Sequence, residues 1–254
     1  MHRWHRGPLQ VQRPFYPEGS GVCHLYLLHP PGGVVPGDQL SVQARVESGA
    51  QVLLTTPAST KVYRSHGPTS SQSTQLFVDG NGGLEWFPQE TIVFNGARTE
   101  LSTRVDLSGD QGGFTGWEIL CLGCPASGDP FKKGSCRQSF EVWRDQNPLW
   151  IDRCKYDGGS FLLREAWGLG GASVVGTMIC VTDEVGLLEE LRSFYEALPS
   201  ASYRVVATQL RDVVVVRYLG HHAEEAKEIF AGLWSVSREW LSGRAVCEPR
   251  IWKT

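Results

Sequence analysis

HLYLLHPPGGVVPGD, from His24 to Asp38, and LLTTPASTKVYRS, from Leu53 to Ser65, are the two stretches around which this chain is organised. Each begins as an apolar run of β type, stops at prolines or glycines and then presents polar groups. The pair predicts two strands that each deliver a shaped loop. We take this loop region as the functional centre of the protein.

The first loop carries the residues that set the direction of the backbone. Pro30 and Pro31 fix φ and remove two backbone donors. Gly32 and Gly33 are expected to turn the chain with positive φ. Asp38 closes the loop beside a glycine, a position at which Asp is common for backbone reasons. The sequence therefore predicts a carboxylate held at a defined place.

A coarse repeat of strand, glycine-bearing turn and strand runs through the middle of the chain. It is seen in VESGAQVLLTTP, VDGNGGLEWFPQ and LSGDQGGFTGWEIL, which begin at Val46, Val78 and Leu107. These first residues lie 32 and 29 positions apart. A nearly constant period predicts stacked layers that bury each other's open face, as in a β-helix-like stack of strands or a sandwich built by repetition.

Near residue 166 the pattern changes to a β-α-β-β-α order, which contains the two predicted α-helices of an otherwise strand-rich chain. Asp183 is expected to cap the first of these helices, and each helix carries its apolar residues on one face. No polar linker separates this part from the rest. We therefore predict one mainly β domain over 1–254, with a strand-rich body (1–165) and an α+β portion (166–254) packed on it. The predicted elements are a strand at 174–181, a helix at 183–198, strands at 203–209 and 213–219, and a helix at 223–241.

Composition excludes several classes of partner. The 254 residues carry a net charge of −3, and no basic run is longer than Lys132 and Lys133. We therefore expect no nucleic acid and no membrane as partner. The apolar runs are short and the first residues lack the core of a signal peptide. Seven cysteines at irregular spacing do not form a disulfide framework. These features favour a cytoplasmic protein.

Motifs for nucleotide or covalent chemistry are missing from the sequence. No Gly-Lys dipeptide is present, and the glycine-rich stretch at 168–176 fails the dinucleotide fingerprint. Ser160 and Ser173 lack the glycines of a nucleophile elbow. Cys121 and Cys124 have the spacing of a zinc or redox pair, but no second pair stands at a matching distance. We interpret Cys121 as a small core residue at the end of a strand.

Carboxylates placed inside apolar strands are the more informative signal. Glu85, Glu118 and Asp152 each lie among large apolar residues. Each alone is explained by a side chain that points to water from a one-sided sheet. If two or three converge with Asp38, they form an anionic lining that attracts a divalent cation or requires an arginine. The available arginine partners are Arg13, Arg64 and Arg153.

Seven short motifs together resemble one known family. They are QRPFYPE from Gln12, HLYLLHPPGGVV from His24, GD at Gly37, the run from Thr55 to Ser65, LEWFPQETI from Leu84, LCLG from Leu120 and PRIW from Pro249. In this combination the chain closely resembles the urease accessory protein UreD family, called UreH in some systems. The resemblance covers the chain from near residue 7 to its end.

The resemblance implies a non-enzymatic factor for urease maturation. Family members bind the urease apoprotein, the helical protein UreF and the GTPase UreG, and have a β-helix-like fold with two helices. No cofactor is tightly bound, and nickel is carried in transit. By motif, the resemblance places a transient nickel path at Asp38, Thr60, Glu118 and Asp152. Nickel accepts oxygen and imidazole ligands, and a path requires sites weak enough to release the ion.

Two alternatives remain open at the level of sequence. One is a β-helical carbohydrate-active enzyme that uses paired carboxylates such as Glu85 and Glu118. The other is a binding module without metal transfer. The chain also departs from the family: Pro36 and Cys124 stand where Gly and Arg are common. Members usually carry further strands before this start, so either the first layer is absent here or the chain begins too late.

Overall fold

A computed structural model describes residues 2–199 and 202–253 of the chain. They form sixteen strands and three α-helices. The strands of the first half are β1 (Gln10–Val11), β2 (Cys23–Leu28), β3 (Gln39–Val46), β4 (Gln51–Thr55), β5 (Thr60–Val62), β6 (Ser70–Asp79), β7 (Gly83–Phe87) and β8 (Thr91–Val93). The next strands are β9 (Arg98–Ser108), β10 (Gly113–Cys124), β11 (Asp129–Pro130), β12 (Ser135–Arg144) and β13 (Asn147–Asp157). The C-terminal elements are α1 (Phe161–Arg164), β14 (Val174–Val181), α2 (Leu187–Glu196), β15 (Arg204–Leu210), β16 (Val213–Gly220) and α3 (Ala223–Ser242).

The body of the molecule is a stack of four coils. β2, β4, β7 and β10 pair in parallel in one sheet, which we call the helix-side sheet. β3, β6, β9 and β12 pair in parallel in the other, which we call the outer sheet. The chain alternates between the two, so each coil contributes one strand to each sheet. A short third face consists of β5, β8 and the second half of β10. The predicted β-helix-like stack is confirmed.

The sequence repeat corresponds to the register of the coils. Val46 pairs with Val78, and Val78 pairs with Leu107. All three side chains are buried between the two sheets. Since parallel strands in register place equivalent residues on top of each other, one spacing in the sequence becomes one row in the core.

The C-terminal portion continues the helix-side sheet. β14 pairs antiparallel with β10, β16 pairs with β14, and β15 forms the edge beyond β16. The predicted β-α-β-β-α order is confirmed. The first helix begins later than predicted, because Gly186 with φ 110° is its N-cap residue and Asp183 precedes it. A four-residue helix, α1, was not predicted.

Helix α3 covers the outward surface of the helix-side sheet. Phe230 and Trp234 are completely buried, and Trp234 packs on Phe87 of β7 with ring centroids 4.8 Å apart. Trp252 joins this aromatic cluster and donates a hydrogen bond of 2.9 Å to the Thr55 hydroxyl. The helix is thus held by large apolar area on a sheet whose other surface faces the interior of the stack.

The diglycine of the first loop has a different role from the one predicted. Neither Gly32 nor Gly33 has positive φ, whereas Gly37 does, at 87°. A Cβ atom on Gly33 would lie 2.6 Å from the carbonyl oxygen of Lys61. Gly33 is therefore required because the first loop crosses very close to the second.

Candidate functional site

A column of polar side chains follows the stack from coil to coil, and its members are buried or half-buried. We call it the polar column, and its members are Thr56, Thr60, Gln72, Thr74, Thr91, Thr103, Glu118 and Gln138. The second coil supplies the first four, the third coil the next two and the fourth coil the last two. Alternation along each strand directs these side chains inward, between apolar layers on both sides.

Two cavities follow this column. The smaller, about 40 Å³, lies beside Glu118, and the larger, about 280 Å³, lies beside the loop at 29–33. They share part of their lining and are therefore neighbours, and we call the two together the polar space. The shared residues are Thr56, Thr60, Gln72 and Trp86.

The indole of Trp86 indicates what this space contains. Its N–H is buried and has no acceptor among the residues that the structure describes. A buried donor without an acceptor costs free energy comparable to a lost hydrogen bond, and such groups are generally satisfied by water. Because Trp86 lines both cavities, we expect water in them.

Glu118 lies at the inner end of the polar space without a cationic neighbour bonded to it in the described chain. Its carboxyl oxygens accept hydrogen bonds from the Thr103 hydroxyl at 2.5 Å and the Gln138 amide at 3.0 Å. Burial raises the pKa of Glu118 to about 7, although both hydrogen bonds oppose the rise. The group can therefore exchange its proton, or exchange a proton for a cation, near neutral pH.

Asp152 lies beside this end of the column. It is on β13, opposite Phe140 of β12, and accepts a 2.7 Å hydrogen bond from Arg217 of β16. Its charge contributes to the raised pKa of Glu118. It does not line either cavity. Asp152 and Glu118 are thus near each other, but only Glu118 faces the polar space.

Thr60 and Asp38 have different relations to the column. Thr60 lines both cavities. Asp38 lines neither, and its carboxylate accepts a 2.9 Å hydrogen bond from the backbone N–H of Val35. Its charge acts on His29, which does line the larger cavity. Burial lowers the pKa of His29 and outweighs the opposite effect of Asp38, so the imidazole is neutral at pH 7.

The alternative of a carbohydrate-active enzyme requires Glu85 and Glu118 to lie on the same face of the sheet. Glu85 lies on the opposite face. Glu85 pairs with Thr115 across parallel strands, and Glu118 lies three residues further along β10. An odd offset along a strand places side chains on opposite faces. Glu85 and Glu118 therefore do not converge, and the sheet lies between them.

Glu85 belongs instead to a buried cluster of charges under α3. We call Glu18, His24, Glu85 and Arg238 the helix clamp. The Arg238 side chain, only 3% exposed, lies 2.9 Å from both Glu18 and Glu85. His24 bonds to Glu18 at 2.7 Å, and the Trp234 indole donates to Glu85 at 2.6 Å. Sequence reasoning missed Glu18 and Arg238, although Arg238 follows Phe230 and Trp234 at intervals of four on the apolar stripe of α3.

The arginine partners are also different from those predicted. Arg217 bonds to Asp152 and Arg238 bonds to Glu85, while Arg153 bonds to Glu141 at 2.7 Å. Cys121 is buried, and burial raises the pKa of its thiol to about 12. Among residues 2–199 and 202–253, no group of three or more His, Cys, Asp or Glu side chains is arranged to hold a metal ion. None of the described helices is long and apolar enough to span a bilayer.

Comparison with known proteins gives a consistent match over the whole chain. The model of the family described as "UreD urease accessory protein" matches residues 1–253. The urease accessory protein UreD of Chromohalobacter salexigens is 48% identical over 98% of this chain and 82% of its own length. That of Dechloromonas aromatica is 43% identical over 98% and 87%. Urease accessory protein UreD 2 of Brucella anthropi is 42% identical over 100% and 92%.

Proposed function

Since the chain belongs to the UreD family of urease accessory proteins, we propose that it is a scaffold that passes nickel to the urease apoprotein. In this proposal it acts in a complex with UreF and the GTPase UreG, and it is not itself an enzyme. Nickel is the cargo, held only in transit along the polar column. We place this activity in the cytoplasm, a compartment in which free thiols persist.

The observation that carries this proposal is the line of inward-facing polar side chains beside two neighbouring cavities of the stack. Threonine hydroxyls and glutamine amides cost free energy when they are buried among hydrocarbon, and they pack less favourably there than leucine or valine would. Successive coils nevertheless add such side chains in line. A hydrated path for a small hydrophilic solute accounts for this arrangement.

The side-chain groups of the polar column are suited to bind an ion weakly and release it. Hydroxyl and amide oxygens bind divalent ions weakly, and a carboxyl with a pKa near 7 gains a cation by releasing a proton. Glu118 stands at the inner end of the lined space, next to the negative charge of Asp152. We propose that an ion pauses at Glu118 and then leaves for the partner protein.

The test replaces this carboxyl with a neutral group of the same shape. Glu118→Gln removes the charge while preserving a side chain that can bond to Thr103 and Gln138. The variant is expressed together with the urease subunits and the other accessory proteins, and nickel bound per purified urease is measured by atomic absorption. We expect a large loss of nickel relative to the unchanged chain.

The matched control is Glu100→Gln. Glu100 is exposed on the outer sheet, in a long salt bridge of 3.5 Å with Arg137. This control should leave the nickel content unchanged. If Glu118→Gln, Asp38→Ala and Asp152→Ala combined in one chain still give fully loaded urease, a binding module without metal transfer is the better description.

A further inference from the structure

The polar side chains of the stack continue beyond Glu118. Glu118 of β10 pairs with Thr177 of β14, and Thr177 pairs with Arg217 of β16. Residues paired across neighbouring strands lie on the same face of a sheet. Val215, two positions before Arg217, belongs to the core between the two sheets, so all three polar side chains are on the inward face. A polar row therefore crosses two further strands of the helix-side sheet.

Arg217 ends this row in an ion pair with the outer sheet. Its Nη1 atom donates a hydrogen bond of 2.7 Å to Asp152 and one of 3.2 Å to the Thr177 hydroxyl. Asp152 lies on β13, the edge strand of the outer sheet. The side chains of Arg217 and Asp152 are 45% and 30% exposed. The ion pair thus joins the two sheets beyond the fourth coil, at the point where the polar row reaches solvent.

The row is closed at this point. Neither Thr177 nor Arg217 lines the cavity beside Glu118. A divalent cation that moves from Glu118 toward this side meets the positive guanidinium of Arg217, which repels it. The next carboxylate, that of Asp152, is already bonded to the same guanidinium. An ion can therefore use Asp152 as a ligand only after Arg217 has moved away.

The arriving charge favours this movement. A divalent cation beside two ionised carboxylates, Glu118 and Asp152, is neutralised by them, and the guanidinium then adds an excess positive charge. Arg217 is nearly half exposed, so its guanidinium can turn into water. Ion pairs at such exposed positions contribute little to stability. The ion pair with Asp152 is therefore one that an ion can replace.

We propose that Arg217 is the gate of the polar column. It bonds to Asp152 while the column is empty, and an ion that leaves Glu118 displaces it into solvent and passes Asp152 to reach the surface. This inference rests on the proposed function, since it assigns the exit of the same path. It also explains how Asp152 belongs to the path without lining either cavity.

The experiment removes the cation and measures how tightly nickel is held. The full-length chain with Arg217→Gln is purified, and its affinity for Ni²⁺ alone is measured by equilibrium dialysis. Asp152 is then free to bind the ion, so we expect a dissociation constant at least about tenfold lower, since changing an outer partner of a metal ligand alters affinity by about 10–100-fold. Transfer of nickel to urease apoprotein in the reconstituted complex should slow by a similar factor.

Three further variants complete the design. Arg217→Lys retains the positive charge and should bind Ni²⁺ like the unchanged chain. Arg217→Gln combined with Asp152→Asn should lose the gain in affinity, because the freed carboxylate is gone. Arg137→Gln is the matched control, since Arg137 is 66% exposed on the outer sheet and lies 3.5 Å from Glu100. It should leave nickel binding and transfer unchanged.

The outcomes separate this inference from its premise. If Glu118→Gln blocks loading of urease but folded Arg217→Gln binds and releases Ni²⁺ as the unchanged chain does, the gate is wrong and the path survives. Tight binding that persists without Asp152 would also overturn the gate. If Glu118→Gln loads urease normally, the path itself fails. Loss of folded protein in Arg217→Gln, checked by thermal unfolding, would assign a structural role to Arg217 and overturn the proposal.

Discussion

The helix clamp and the inner end of the polar column both bury carboxyl groups on strands of the same sheet, on its opposite faces. In the clamp, Glu85 has the guanidinium of Arg238 at 2.9 Å and the Trp234 indole at 2.6 Å. In the column, Glu118 has only the Thr103 hydroxyl and the Gln138 amide. The clamp therefore supplies a cation to its carboxyl groups and the column does not.

This difference separates structure from function. A buried carboxylate that bonds to a buried arginine is held in place, and each partner requires the other. A carboxyl solvated by neutral groups beside a cavity is free to exchange a proton or a cation. Desolvation acts to raise the pKa of both clamp carboxyls: the hydrogen bonds from Arg238 and His24 outweigh it at Glu18 and lower the pKa, whereas at Glu85 burial prevails over Arg238 and raises the pKa. For Glu118 no arginine opposes the rise.

The largest effect on stability is expected from breaking the clamp. Arg238→Met leaves Glu18 and Glu85 buried without a cation, which should cost about 3–5 kcal/mol in the free energy of unfolding. Urea denaturation of the purified chain measures this loss. The control is Arg45→Met, since Arg45 is 57% exposed and pairs with Asp79 at the surface, where such pairs contribute at most about 1 kcal/mol. Equal losses in the two variants would contradict the assignment of the clamp.

A smaller effect of opposite sign is expected from Glu118→Gln. The folded pKa of about 7 lies above the ordinary value of 4.5, so between these two pH values the folded state binds a proton that the unfolded state has lost. The contribution of Glu118 to the stability of the unchanged chain should thus fall as pH rises from about 4.5 to 7 and stay level above. Relative to it, Glu118→Gln should gain on the order of 3 kcal/mol over this window.

Denaturation curves at several pH values test this expectation. Glu100→Gln, at an exposed position, serves as the control and should show no such growth in the difference. A stability difference between Glu118→Gln and the unchanged chain that does not vary with pH would mean that Glu118 is ionised in the folded state near pH 5 to 6.

The smallest effect is expected from Asp152→Asn. The negative charge of Asp152 contributes to the raised pKa of Glu118, so its removal should move the midpoint of the Glu118 titration to lower pH, by less than about one unit. Carboxyl ¹³C NMR reports this midpoint. Asp106→Asn, which removes a charge paired with Arg104 on the outer sheet, is the control. An unchanged midpoint in Asp152→Asn would show that the two carboxyls are not coupled.

Much of the fold follows from local pattern. The spacing of Val46, Val78 and Leu107 predicted the coil period because stacked parallel strands repeat their inward rows. The C-terminal strands and helices followed from periods of two and 3.6. The start of α2 was wrong because an acidic residue before an apolar stretch resembles a cap, while Gly186 makes the turn. Nothing local to Gly33 shows that Lys61 would pass within contact of it.

By itself, the sequence determined that the chain stacks coils and that carboxylates occur within its apolar strands. Both features follow from the order of neighbouring residues. Only the tertiary structure decided what each carboxylate meets. Glu18 and Arg238 are 220 positions apart, and Asp152 and Arg217 are 65 apart. The opposite charges belong to elements that are distant in sequence, and the positions of these elements depend on the packing of the whole core. For this reason Glu85 became part of a clamp, and Glu118 remained uncompensated beside a cavity.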